Sequence, residues 1–371
     1  MSGRELDEFF NLLKRLADAF GIPGYEEEVR SIIIDELKPY ADELWVDRLG
    51  NVVAVKKGSG DARVMVAAHM DEIGLMVKSI DEHGFLYIAP VGGWSDIILP
   101  GQRLRIMTRS GKLVYGVVGT KPPHVMTPEE AKQVIPIDKL FVDVGASSRK
   151  EVEEMGIQVG SPIDLDREAV RIGKHRATGK AFDDRVGVAV MIEAFKRLAE
   201  RGVEATVYAV ATVQEETGLK GARTIAYALQ PDAALSIDVT IAADVPGVEE
   251  PKHITKLGKG PAIKIIDGRS GSGTISDKRI VRLLEEAARE EGIPFQYEVA
   301  TGGTTDATAI QLTRSGVPVS AVSIPTRYIH SPVEVLDLRD AVNAARLIAA
   351  AVARMTPSWF REVLPPRRVY K

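Results

Sequence analysis

From about residue 167 to its C-terminus the chain alternates short apolar runs with helical stretches, and this alternation restricts the fold more than any other feature. A helical pattern at Asp184–Glu200 is followed by an apolar strand at Ala205–Val213, a helix at Leu219–Leu229 and a strand at Ala233–Ile237. Strand Ala262–Ile266, helix Asp277–Glu291, strand Phe295–Val299, helix Thr305–Thr313 and strand Pro318–Ile324 continue the series, and a last helix, Leu338–Met355, starts from the N-cap residue Asp337. Strands that alternate with helices imply an α/β fold whose sheet is covered on both faces. The N-terminal segment has the same character. Leu6, Phe9, Leu13, Leu16 and Phe20 recur at helical spacing until Gly21, Pro23 and Gly24 stop them, and a second helix follows over Glu26–Leu37. Glu43–Arg48 and Asn51–Lys56 form a hairpin about Leu49-Gly50, and the apolar run Arg63–Ala68 reads as a buried central strand.

Between residues 73 and 166 the pattern breaks. Short strands at Leu75–Ile80, Phe85–Ala89, Arg103–Thr108, Leu113–Gly119 and Phe141–Val144 are separated by Gly-rich turns. One helix start is explicit, with Thr127 as N-cap, Pro128 after it and Glu130 completing a capping box. With 371 residues the chain exceeds what one core usually supports. The expected organisation is therefore a catalytic domain over 1–72 and 167–371 with a small β-rich domain, 73–166, inserted into it.

Lys+Arg 48 against Asp+Glu 52 gives a net charge of -4, with no long basic block, so composition supports neither nucleic-acid nor membrane-surface binding. The expected partner is a small molecule or peptide. With no cysteine, any metal site must use histidine and carboxylate, and a disulfide framework is excluded. The charged residues interleaved through Met1–Phe20 do not resemble a signal peptide, and no run of about 18 apolar residues occurs, so the expected location is cytoplasmic.

Acidic residues and histidines gather where strands end. His69 and Asp71 follow one strand, Glu215 and Glu216 another, Asp238 a third, and His330 lies beyond a fourth, while Asp183 and Asp184 open a helix. Ligands of open α/β sheets bind outside the carboxyl ends of the strands, so these residues are expected in one crevice. Each has a plainer reading. His69 also reads as a core or turn histidine, Asp183-Asp184 as an acidic helix start favoured by the macrodipole, and His330 alone carries little signal. Asp71 beside His69 argues for a metal-ligand pair, since a nearby carboxylate commonly fixes the tautomer of such a histidine. Glu215-Glu216 directly after an apolar strand is a poor place for two like charges without a counter-ion. Carboxylates with two imidazoles suit Zn²⁺, Co²⁺ or Mn²⁺. His83, His124, His175 and His253 read as loop residues.

AAHMDEIGL (67–75), GKAFDDRVGV (179–188), VQEETGLKGA (213–222), SIDV (236–239), GGTTDATAIQ (302–311) and PTRYIHSPVE (325–334), in that order, resemble the tetrahedral aminopeptidases. That family comprises di-metal leucyl and glutamyl aminopeptidases, some labelled endoglucanase. The resemblance implies a mixed-sheet α/β/α zinc-peptidase-like catalytic domain with an inserted small β-barrel-like oligomerisation domain, and a homo-oligomer built from dimers into a tetrahedral dodecamer. It further implies two divalent metal ions per subunit, one held by His69 and Asp238, the other by Glu216 and His330, with Asp183 bridging both. Glu215 is then the general base that activates a water shared by the two metals, Asp71 orients His69, and Asp184 is the partner of Asp183, often through a cis peptide. Peptides are the implied substrates, with neutral, leucine-like N-terminal residues the first expectation.

Three other readings remain open on the sequence. One is another co-catalytic zinc hydrolase, a carboxypeptidase or deacylase, of which the carboxypeptidase needs a positive group for the substrate carboxylate, for which Arg185 or Arg327 is available. A non-catalytic metal-binding assembly protein would leave Glu215 without a purpose, and a glycosidase would use two opposed carboxyl groups without metal.

Overall fold

The computed structural model describes residues 2–364. Eleven strands form one mixed sheet. Across it run Glu43–Val46, Val52–Lys56, Thr206–Thr212, Arg63–His69, Ala233–Ile241, Val319–Arg327, Glu334–Asp337, Arg176–Gly179 and Val170–Ile172, with Ala262–Ile266 pairing on Val319–Arg327 and Gln296–Val299 on Ala262–Ile266. The four strands from Thr206–Thr212 to Val319–Arg327 are mutually parallel, and the strands flanking them add on antiparallel. Parallel strands are buried on both faces, which is why they read as continuous apolar runs. In Arg63–His69 only the first residue is exposed, and in Ala233–Ile241 only the last.

Helices cover both faces. Gly3–Asp18, Glu27–Leu37, Phe182–Arg201, Lys278–Glu290 and Leu338–Ala353 pack in the larger core on one side, while Lys220–Leu229 and Asp306–Gln311 close the other. Phe182–Arg201 is buried without a break from Phe182 to Ile192. It is enclosed by the sheet and its neighbouring helices, so it needs no polar face over that stretch.

A second body lies between the strand ending at His69 and the sheet strand starting at Val170. Here Gly74–Ile80, Leu86–Val91, Phe141–Asp143, Leu113–Gly119, Arg103–Met107 and Pro162–Leu165 pair in that order into a closed barrel around Leu75, Val77, Leu86, Ile88, Leu104, Ile106, Val142 and Ile163. Closure removes the free strand edges. The final barrel strand, and sheet strands Val170–Ile172, Arg176–Gly179 and Glu334–Asp337, extend the sequence reading. Each has three or four residues, too few for alternation to be visible. The capping box at Thr127 forms reciprocally with Glu130, but only a 3₁₀ turn, Glu130–Lys132, follows, because this exposed segment has no apolar stripe to bury. Asp238 lies inside a strand that continues to Ile241, not after its end.

Barrel and sheet are joined by buried charge. Lys180 Nζ lies 2.6 and 2.7 Å from the two oxygens of Glu72 and 3.2 Å from Asp164 of the closing barrel strand. Arg185, with no exposed surface, donates to Glu72 at 3.0 Å and to the carbonyls of Leu16 and Gly21 at 2.5 and 3.0 Å. Arg105 pairs with Asp164 and donates to the Asp18 carbonyl at 2.9 Å. Among the described residues no helix is long and apolar enough to cross a membrane.

Removing one member of a buried ion network leaves the others uncompensated, at a cost of about 3–5 kcal/mol. Lys180→Met, similar in length but without charge, is expected to lower the guanidinium unfolding midpoint, the shift multiplied by the m-value amounting to that loss. An unchanged midpoint would mean that the network does not support the joint.

Candidate metal centre

The parallel strands deliver their following residues to one edge of the sheet. His69 ends its strand, Glu215 and Glu216 come just after Thr212, Asp238 occupies a strand position next to that edge, and His330 lies in the loop beyond Arg327. Asp183 and Asp184, joined by a cis peptide, open the buried helix behind them. Two loops turn sharply at this edge: Gln214, immediately before Glu215, has φ 55°, and His330 has φ 59°. Residues other than glycine adopt this left-handed region only where their surroundings hold them there.

The side chains converge. His69 Nε2 is 3.1 Å from Asp183 Oδ1 and 3.9 Å from Asp238 Oδ1. His330 Nε2 is 3.3 Å from the other Asp183 oxygen, Oδ2, and 3.1 Å from Glu216 Oε1. Two triads result, His69–Asp183–Asp238 and Asp183–Glu216–His330, each with its candidate ligand atoms within 4.8 Å of one another and with Asp183 common to both. Glu215 belongs to neither triad, although its Oε2 reaches to 3.9 Å from His69 Nε2. His83, His124, His175 and His253 belong to neither as well.

The electrostatics of this cluster are those of a site short of positive charge. Burial pushes Glu215 and Asp238 well above the ordinary carboxylate range, and neighbouring carboxylates add to the shift. Burial likewise raises Asp184, whose Oδ2 has no hydrogen-bond partner. Burial opposes the charged form of His69, yet Glu215, Asp183, Asp71 and Asp238 together hold its pKa well above normal. At His330 burial again acts downward and is outweighed by Asp183 and Glu216, which push the ring up to about 11. Asp183 alone among the ligand carboxylates is held below its usual value, because hydrogen bonds from His330 and His69 outweigh its burial. Hard oxygen and imidazole donors in one buried and one half-buried triad, with too few cations among them, fit divalent metal ions, whose charge would relieve the crowding of carboxylates.

Buried groups fix the loops that carry these side chains. The Asp71 carboxylate accepts from the main-chain N–H groups of Glu215 and Glu216 at 3.0 and 3.1 Å, while His69 Nδ1 meets the Asp71 carbonyl oxygen at 3.1 Å. Asp71 thus bonds the histidine through its main chain and the glutamate pair through its side chain, whose Oδ1 also lies 3.6 Å from His69 Nδ1. Glu334 accepts from the N–H groups of Asp183 and His330, and Asp306, pushed up to about 6 by burial, accepts from the Thr212 hydroxyl at 2.5 Å. Neither Glu334 nor Asp306 stands out in the sequence, although both lie within the motifs around His330 and GGTTD. A Cβ at Gly187 would sit 2.2 Å from Asp184 Oδ2, so that approach requires glycine or a shift of Asp184, while one at Gly93 of the barrel would sit 3.1 Å from His330 Nδ1 and press on the ring. The two arginines available for a substrate carboxylate are already engaged. Arg185 is in the buried joint, and Arg327 is clamped to Asp244 by two bonds of 2.8 Å.

Comparison with known proteins identifies the architecture. The family model described as M42 glutamyl aminopeptidase matches residues 50–347. A lysyl aminopeptidase of Pyrococcus furiosus is 41% identical over 356 residues, 95% of this chain and 99% of that protein. Among solved structures, an aminopeptidase from the archaeon Desulfurococcus kamchatkensis is 47% identical with a TM-score of 0.95, covering 99% of this chain and 100% of that one. The TET1 peptidase of Pyrococcus horikoshii, described as able to assemble into a tetrahedron or a large octahedral shell, is 35% identical with a TM-score of 0.84 over 94% of this chain and 100% of that one. With the sheet, the barrel and both triads accompanied by likeness along nearly its whole length, the chain is a peptidase and belongs to the M42 family of aminopeptidases.

Proposed function

We propose that the chain removes N-terminal residues from peptides with two divalent cations, one held by His69, Asp183 and Asp238 and the other by Asp183, Glu216 and His330. The observation that carries this reading is the division of the two Asp183 oxygens between His69 Nε2 and His330 Nε2. Zn²⁺ or Co²⁺, and in third place Mn²⁺, suit this donor set. When bound, such a pair acts as a Lewis acid that lowers the pKa of a water and stabilises the oxyanion developing on the scissile carbonyl.

Glu215 is the group left to move the proton. Its carboxylate is outside both triads, and its main-chain N–H is held by Asp71, so it keeps a fixed position beside the ligands. It takes the proton from the attacking water and returns it to the leaving amine. Adjacent glutamates thereby have separate tasks, Glu216 as ligand and Glu215 as base. The engagement of Arg185 and Arg327 leaves them unavailable to a substrate carboxylate, which supports release from the N-terminal end over the carboxypeptidase reading. Neutral, leucine-like residues are the side chains we propose the protein prefers.

We assign the barrel to assembly, in a tetrahedral dodecamer built from dimers. Its surface exposes Ile97, Tyr115, Val117, Val125 and Val134, apolar side chains that an interface with other copies would cover. The assembly described for the Pyrococcus horikoshii relative supports the same reading.

Hydrolysis of a panel of aminoacyl chromogenic substrates is expected to disappear on chelation and to return with Co²⁺ or Zn²⁺, with leucyl turned over fastest. Glu215→Gln is expected to lower kcat by about 10²–10⁴ while the protein still binds metal. Undiminished turnover in this variant would contradict the assignment of the base, and faster lysyl or glutamyl turnover would overturn the side-chain preference alone. Native mass spectrometry is expected to give a particle of twelve chains. A monomer would contradict the role given to the barrel.

A further inference from the structure

Glu334 is not one of the proposed ligands, yet it is only 2% exposed and both of its oxygens serve residues that are. Oε2 accepts from the Asp183 N–H at 3.0 Å and Oε1 from the His330 N–H at 2.8 Å. The carboxylate therefore spans from the start of the buried helix to the loop beyond Arg327, two elements far apart in sequence. Its own main chain is fixed as well. Glu334 begins the strand Glu334–Asp337 and stands opposite Gly179 in the antiparallel pairing with Arg176–Gly179. His330 has the φ of 59° that its surroundings must maintain, and the bond from its N–H to Glu334 is one of the restraints that do so.

We infer that Glu334 is a positioning residue that sets the spacing between Asp183 and His330, and through it the affinity of the cation held by Asp183, Glu216 and His330. This rests on the two-cation reading above. Carboxylate-to-amide bonds are short and directional, so a single side chain that bonds both backbones fixes their separation. The main-chain donors of the other triad's His69 and Asp238 are not bonded to it, so the effect is unequal between the two sites. Glutamine in its place offers one carbonyl oxygen and turns an NH₂ group toward the remaining donor. Aspartate keeps the carboxyl group but withdraws it by one methylene. Both changes disturb the spacing, and only glutamine removes the second acceptor oxygen.

The full-length protein loaded with Zn²⁺ is titrated with a competing chelator while the metal retained per chain is measured, for the native sequence, Glu334→Gln, Glu334→Asp and His330→Ala. The expected result is that one of two equivalents is held at least tenfold more weakly in both Glu334 variants, while the other changes less and His330→Ala loses one equivalent outright. Native affinity for both equivalents in either Glu334 variant, with His330→Ala still losing one, would overturn the positioning role and leave the site reading standing. Retention of both equivalents by His330→Ala would overturn the site reading and this inference with it. A lowered thermal midpoint of the metal-free variants without any change in affinity would assign Glu334 to stability and likewise overturn the inference. If Glu334→Gln does not fold, Glu334→Asp gives the same readout.

Discussion

Asp183 divides its two carboxylate oxygens between two imidazoles, and the rest of the structure is arranged to keep that division in place. The residue opens a helix that is buried from Phe182 to Ile192, so its main chain has little room to shift. One imidazole comes from the end of a central parallel strand and the other from a loop beyond a second strand in the same sheet. Placing carboxylates and histidines together away from water is unfavourable without compensating charge. The raised positions of Glu215 and Asp238 reflect that cost, which bound cations would offset.

The same edge of the sheet is where the barrel meets the catalytic body. Glu72, three residues after His69, pairs with Lys180, three residues before Asp183, and Lys180 reaches Asp164 of the barrel. The joint is thus built from the chain segments that carry the ligands. Gly93 brings a barrel loop against the His330 ring, so the barrel also forms part of the wall of the site. The barrel and the site at the sheet edge therefore share a mechanical foundation.

The gathering of His69, Glu216 and His330 was legible in the sequence because they stand beyond apolar runs, where an α/β sheet places its ligands, whereas Asp183, which opens a helix, and Asp238, which lies inside its strand, stood out through the motifs around them. The strand-and-helix order was legible for elements long enough to show a period. Pro162–Leu165, which closes the barrel, and Glu334–Asp337, which carries Glu334, were too short for that. The pairing of Asp71 with His69 was legible, but what the carboxylates of Asp71 and Glu334 hold was hidden for another reason. Their side chains bond main-chain N–H groups, which every residue except proline possesses, so no side-chain type in the partner segments reveals the contact. Arg185 was open to the opposite error. As a charged residue beside the acidic pair it suggested a substrate contact, whereas it is wholly buried against Glu72 and three carbonyl groups.

The bridging duty of Asp183 is the centre of this account, and the number of cations retained per chain by an Asp183→Ala variant tests it most directly. With two triads sharing one residue, the native chain retains two and the variant holds neither with native affinity. A variant that kept one cation at native affinity would show that the two positions are independent and that Asp183 does not bridge them.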